Sequence, residues 1–346
     1  MNTLNKNLIG VVGDLHMRDF LSYADSVPDK RIPEKKATLD FIVSTFEDCE
    51  HIVLLGDNFH MKNNSSETNR EFVEFIEKFG DKQVYIISGN HSKKGNGKTA
   101  IDFLKEVNRS NWHVFTTPES VSIDNGGTEM KLDFLPYMFN PELGTETHEE
   151  STKKLVSYLK GGDILFAHHA ISGTTFNGMA TELLKEVVLP KEVLEKKYKK
   201  LIAGHIHDPQ EVGNTVIAGS VFTANVGEVD KFVWKIGTDL TMSQYRLPNR
   251  GIHKLQDPTD KQIEGTKASS IVKVIVTNKE TDVQALKKKL LKFDASLLIE
   301  QYPNKRKKAH IKEGAFDFSI EALLKLYAKE KEVDEEQLLK GLQLIN

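Results

Sequence analysis

Residues 52–60 read Ile-Val-Leu-Leu-Gly-Asp-Asn-Phe-His. Four apolar residues ending at a glycine describe a buried strand that stops where a loop begins. The loop then presents the Asp57 carboxylate and the His60 imidazole close together. In an open α/β sheet, ligands bind outside the carboxyl ends of the strands, and an aspartate placed there can bridge two metal ions. Asp after Gly is also an ordinary turn residue, so the reading depends on what other strand ends supply.

Working outward, four more apolar runs empty into similar loops. Residues 8–12 end at Gly13-Asp14-Leu15-His16, and 84–87 end at Ser88-Gly89-Asn90-His91. Residues 163–167 end in His168-His169, and 200–203 in Gly204-His205-Ile206-His207. Between the first three runs, residues 34–46 and 68–79 carry apolar side chains at helical spacing. Strand–helix alternation predicts a parallel or mixed sheet covered by helices, an α/β fold. Residues 114–136 read as short strands with a hairpin at Asn125-Gly126-Gly127. Helices are expected over 149–159 and 182–189, a helical turn over 193–200, and closing antiparallel strands over 232–236 and 242–247.

The chain has 346 residues, which suggests two domains at about 150 residues each. Residues 1–247 form the first. Residues 248–270, rich in Gly, Pro, Asp and Thr, read as a linker. Residues 271–312 hold a small βαβ-like unit, and 313–346 two helices suited to docking on their own domain or on a partner. The formal net charge of −3 excludes a uniformly basic nucleic-acid binder but leaves room for a local basic surface. Lys93, Lys94 and Lys98, and the run Lys305-Arg306-Lys307-Lys308, are solvated loops or candidate DNA-phosphate contacts. Cys49 is the only cysteine, so no intrachain disulfide can form, and a reducing compartment follows. No apolar run reaches the ~18 residues of a membrane helix, and the protein reads as cytoplasmic, with no membrane partner.

Asp14/His16, Asp57, Asn90, His168 and His205/His207 thus sit at separate strand ends. Imidazole and carboxylate without thiolate suit Mn, Fe or Zn more than Ca. Two ions about 4 Å apart clamp the attacking and leaving oxygens of a phosphoryl group and generate hydroxide.

Taken in order, Asp-x-His, Gly-Asp-x-x-His, Gly-Asn-His, an isolated His and Gly-His-x-His resemble the calcineurin-like metallophosphoesterases. That resemblance implies a two-sheet sandwich flanked by helices. It implies two divalent ions, Mn2+ first, with Mg2+, Fe or Zn as alternatives. Asp14, His16, Asp57 and His207 would hold one, and Asp57, Asn90, His168 and His205 the other. His91 would protonate the leaving oxygen; His169 would support the site or touch substrate. Gly-Asp-Asn-Phe-His at 56–60, Gly219-Ser220 and Gly227-Glu228-Val229-Asp230-Lys231 resemble the SbcD-type DNA-repair nucleases, including phage recombination endonuclease subunits. In that group the histidine at the position of His60 acts near the phosphodiester. The resemblance implies DNA as substrate, an exonuclease or endonuclease activity, and a small α+β DNA-capping domain at 271–312. It also implies an SbcC-like coiled-coil ATPase partner bound through 313–346, a homodimer, and the host-cell cytoplasm if the gene is a phage's. A phosphatase or phosphodiesterase for a nucleotide, phosphoprotein or other small ester is the alternative, and a non-catalytic adaptor the third. One departure stands out: where the family carries Asp or Glu after Gly-Asn-His, this chain has Ser92.

Overall fold

The computed structural model describes residues 7–24, 29–95, 97–107, 109–225, 228, 230–265, 271–278, 281–291 and 296–301. The basic run 305–308 and the expected helices of 313–346 lie outside them.

The expected α/β sandwich is what forms. Strand β1 (Asn7–Val12) leads to helix α1 (Ile32–Thr45), strand β2 (His51–Leu54), helix α2 (Ser66–Glu77) and strand β3 (Gln83–Ile87). Strands β4 (Trp112–Phe115), β5 (Glu119–Asp124) and β6 (Glu129–Leu135) follow. Helix α3 (His148–Tyr158) precedes β7 (Gly162–Ala167), β8 (Tyr198–Ala203), β9 (Gln210–Val212), β10 (Thr215–Ile217), β11 (Phe232–Gly237) and β12 (Met242–Arg246). One six-stranded sheet has the order β12-β11-β1-β2-β3-β4, the other β9-β10-β8-β7-β6-β5. β1 to β4 run parallel, as do β6, β7, β8 and β10.

The near-continuous apolar strands have a simple cause: each is covered on both faces. With side chains alternating across a strand, Val53 and Leu55 enter the core between the sheets, together with Phe134, Phe166 and Trp234. Ile52 and Leu54 face the other way, onto Leu39, Ile42 and Phe46 of the α1 region and Phe72, Phe75 and Ile76 of α2. In the second sheet Ile164 and Phe166 face the partner sheet, whereas Leu165 and Ala167 face Leu155 and Leu159. Each fully buried side chain of this size contributes about 1.5–3 kcal/mol. Such a two-sided core fixes the register, because a one-residue slip would exchange the two faces. Ser65 caps α2, its hydroxyl accepting from Thr68 N at 3.0 Å. Cys49 is buried in this core, and burial with the Asp48 charge pushes its thiol up to about 12, so it is a packing residue.

Three expectations change. The 182–189 stretch is not a helix: a 3-10 turn covers Thr181–Leu183 and Val188–Leu189 pairs in parallel with Ala170–Ile171. The supposed linker contributes strand β13 (Ile252–Gln256) and a helix, α4 (Asp260–Glu264), closed by a Thr259/Gln262 capping box. β13 pairs in parallel with β14 (Ile271–Val276), which pairs in parallel with β15 (Ser296–Gln301). The small unit is therefore three-stranded, with helix α5 (Val283–Leu291) and a core of Ile263, Val272, Val274, Val276, Leu286 and Leu290. Only Ile252 and Leu255 are large apolar residues in β13, too few to stand out against its polar neighbours. Arg250 pairs with Asp29 and Glu34, tying the approach to this unit onto α1.

Candidate metal centre

The carboxyl ends of the parallel strands from both sheets meet at one place. The first sheet brings Asp14, His16, Asp57, Asn90 and His91 there, and the second brings His168, His205 and His207. Tight turns make this possible. Gly89 passes so close that a Cβ on it would lie 2.1 Å from Asp57 Oδ1, and one on Gly56 would lie 2.3 Å from His168 Nδ1. His16, Asp57 and His205 themselves take left-handed backbone, with φ of 46°, 37° and 83°.

Asp57 Oδ2 lies between two imidazoles. It lies 3.4 Å from His168 Nε2 on one side and 3.9 Å from His16 Nε2 on the other. Beyond His168, the Asn90 Oδ1 atom is 3.1 Å from His168 Nε2 and 3.0 Å from His205 Nδ1. On the other side, His16 Nε2 is 2.8 Å from His207 Nε2, which is 3.8 Å from Asp14 Oδ2. Donors of an octahedral ion with ~2.1 Å bonds stand about 3 Å apart, close to the spacing of these atoms. Asp14/His16/His207 and Asp14/Asp57/His168 each bring three ligand atoms within 4.8 Å of one another.

The second ring nitrogens show which way these imidazoles face. His168 Nδ1 donates to Leu55 O at 2.6 Å, leaving Nε2 toward Asp57 and Asn90. His205 Nε2 lies 3.0 Å from both Glu186 carboxylate oxygens, leaving Nδ1 inward. His207 Nδ1 is 3.8 Å from Glu228, whose carboxylate also pairs with buried Lys231 at 2.9 Å. Lys231 in turn donates to His207 O. Such outer partners hold a ligand in orientation and raise its basicity. Among the described residues the His16 Nδ1 atom is buried without a partner.

The electrostatics favour a cation. Burial pushes the Asp14 carboxyl up, and the Asp57 charge adds to it. Burial opposes ionisation of Asp57 too, but His168, His16 and His91 hold its carboxyl well below the usual range. His168 would be driven down by burial, yet Asp57 and Asp14 raise it to about 9. Two carboxylates at a buried site thus create a field that attracts positive charge, a proton or a metal. The donor set, its spacing and this field fit two divalent ions.

His91 and His60 stand beside the donors. Their rings are 5.5 Å apart, and each lies about 5 Å from His16 (4.8 and 5.4 Å). His91 N donates to Asp57 Oδ1 at 2.9 Å, and His91 Nδ1 donates to the main-chain oxygen of His60 at 2.8 Å. The orienting partner of His91 is therefore a carbonyl from the Asp57 loop, in place of a neighbouring carboxylate, and Ser92 turns inward and is buried. His60 is pushed down to about 4 by burial, Arg18 and His91, so it is a neutral imidazole.

His169 is fully buried and stacked on Tyr137 at 4.8 Å, which leaves it no face for substrate. Lys93 is buried and paired with Glu142 at 3.0 Å, whereas Lys94 and Lys98 are exposed on a small hairpin, Lys93–Gly95 against Lys98–Thr99. The paired and buried Lys93 ammonium is not placed to meet a DNA phosphate; its basic neighbours in sequence hid the distant glutamate. Sequence reading also missed Glu186, because its contact with His205 exists only once strands β7 and β8 are side by side. Replacing Glu186 with alanine will weaken Mn2+ affinity about 10–100-fold, the usual cost of an outer partner; isothermal titration checks this.

A cavity of about 360 Å3 opens over the centre, lined by Asp57, Asn90, His91, Glu186, His205 and His207 among others. Among the described residues, no helix is long and apolar enough to cross a membrane.

Comparison with known proteins adds the following. A Staphylococcus aureus protein assigned as a 5′-nucleotidase, solved in complex with α-ketoglutarate, superposes with a TM-score of 0.41 at 14% identity. The match covers 69% of this chain, which spans about half (52%) of that protein. A likeness at this level says nothing about substrate. No curated protein sequence matches significantly. The profile of the calcineurin-like phosphoesterases matches residues 8–209, the span that carries every donor above. The chain belongs to the calcineurin-like phosphoesterase family, whose members are metal-dependent phosphoester hydrolases.

Proposed function

We propose that the chain is a DNA nuclease, the hydrolytic subunit of a repair or recombination complex with an SbcC-like coiled-coil ATPase. Asp14, His16, Asp57 and His207 would hold one divalent ion, Mn2+ first, and Asp57, Asn90, His168 and His205 the other. When bound, such ions stabilise charge on the phosphoryl oxygens and supply an activated water.

The observation that carries the reading is the His60–His91 pair beside the shared carboxylate. A phosphodiester presents an esterified leaving oxygen that needs a proton and non-bridging oxygens that take hydrogen bonds. The Nδ1–H of His91 is taken by the His60 carbonyl, so Nε2 is the atom that would deliver a proton to the departing 3′-oxygen. Neutral His60 donates one hydrogen bond to the same diester. The small three-stranded unit that follows the sandwich supports a polymeric substrate, as a capping domain would. The ATPase site at 313–346 and a homodimer belong to the same proposal.

The test is a gel assay on end-labelled single-stranded and duplex DNA across a metal series, with and without the ATPase. Mn2+-dependent cleavage that EDTA stops is expected. Intact DNA with rapid turnover of p-nitrophenyl phosphate would replace this reading with the small-ester phosphatase, and no hydrolysis of either with intact ATPase binding would leave an adaptor.

A further inference from the structure

A second cavity, of about 300 Å3, lies between the loop that follows His60 and the hairpin that follows His91. Its lining combines Asn63, Asn64 and Asn69 with Lys94, Lys98 and Thr99, and it includes Phe103. Its volume falls at the lower end of small-molecule sites, ~300–1,000 Å3.

Three features mark it as built for a ligand. First, Thr99 is 3% exposed and, among the described residues, its Oγ1 is buried without a hydrogen-bond partner, as is Asn69 Oδ1. Orphaned buried polar atoms cost stability unless something satisfies them. Second, among the described residues Lys94 and Lys98 make no ion pair, whereas their neighbour Lys93 does. The one acid among the described lining residues, Asp102, is taken up: Oδ2 accepts from Thr99 N at 2.6 Å, and Oδ1 is 3.3 Å from Lys105 Nζ. Third, the half-buried Phe103 adds an aromatic surface among amides and ammonium groups.

We infer that this cavity receives one unpaired nucleotide of the DNA strand. The base would lie against Phe103 with its edge toward Asn69 and Thr99, and its phosphate would meet Lys94 and Lys98. Stacking surface plus a basic rim is how single strands are held without sequence preference. Asn63 lies three residues from His60 and Lys94 three from His91, so each Cα is within about 11 Å of its histidine. Both segments that line the cavity therefore begin beside the metal centre. The inference rests on the nuclease reading and deepens it: strand opening beside the centre becomes part of substrate selection.

The test separates the two. Binding of 5′-fluorescein-(dT)12 is followed by anisotropy in EDTA, and hydrolysis of bis(p-nitrophenyl) phosphate in Mn2+. Lys94→Ala/Lys98→Ala is expected to weaken (dT)12 binding at least tenfold. It should also lower the salt slope by about 1.4, two contacts at ~0.7 each. Affinity for a blunt duplex should change less than twofold and bis(p-nitrophenyl) phosphate turnover not at all. Thr99→Val, which keeps the shape and removes the orphaned hydroxyl, is expected to weaken (dT)12 binding two- to fivefold without lowering the melting temperature. (dT)12 affinity within twofold of the parent in the double variant, or an equal loss for blunt duplex, overturns the inference. Lysine-dependent (dT)12 binding by a protein that cleaves no DNA would uphold the subsite and remove the nuclease assignment. Normal cleavage with unchanged binding would do the reverse.

Discussion

Exchange of Asp57 for alanine will empty both metal positions and lower metal-dependent hydrolysis of bis(p-nitrophenyl) phosphate at least a thousandfold. That loss corresponds to about 4 kcal/mol of barrier at 1.36 kcal/mol per tenfold. The size follows from three roles on one side chain. Oδ2 sits between His168 Nε2 and His16 Nε2, where it would join both proposed donor sets. Oδ1 accepts from His91 N and so also positions the proposed acid. Asn90 Oδ1, by contrast, faces His168 and His205. Bound Mn2+ counted by mass spectrometry should fall from two ions to none. Because alanine is strained at the Asp57 φ of 37°, Asp57→Asn, which tolerates that backbone, serves as the folding control. Retention of one ion, with activity down less than tenfold, would mean that Asp57 does not bridge.

His91→Asn should have the second-largest effect and the opposite metal signature. If the proposed nuclease activity holds, hydrolysis of DNA should fall about 10²–10⁴-fold, the range for removing a general acid, while two Mn2+ remain bound. The hydrogen bond from His91 to Asp57 comes from the main-chain N, and asparagine keeps that N–H; the ring Nε2 stands 3.9 Å from Asp57 Oδ2. The deficit should shrink on bis(p-nitrophenyl) phosphate, whose leaving group departs without a proton. An equal deficit on both substrates, or loss of metal, would remove His91 from the acid role.

Much of this was legible in the chain itself. Runs such as Ile52–Leu55 are readable because a parallel strand covered on both faces needs apolar residues at every position. Glycine at 56, 89 and 204 is readable because the following donor must turn inward within one residue. What could not be read were contacts whose identity is not a residue type at a fixed spacing. The partner of His91 is a main-chain oxygen, which leaves no mark in sequence. Glu186 reaches His205 across 19 residues, through the loop that the pairing of β7 and β8 folds back. Lys93 looked like its exposed neighbours until Glu142, 49 residues away, was placed beside it. Strand β13 was hidden for a different reason: an edge strand of a small sheet needs few apolar residues.

The left-handed backbone of His16, Asp57 and His205 bears on how this fold drifts. Such conformations cost an L-residue roughly 1–2 kcal/mol, less for Asp and His, which visit that region more readily. Glycine would take the same φ values without that cost. In a duplicated copy released from selection on hydrolysis, these three positions are where mutation to glycine would raise stability while erasing the metal centre. A descendant that has become a scaffold should betray itself there first, with its core strands intact and its strand-end donors replaced.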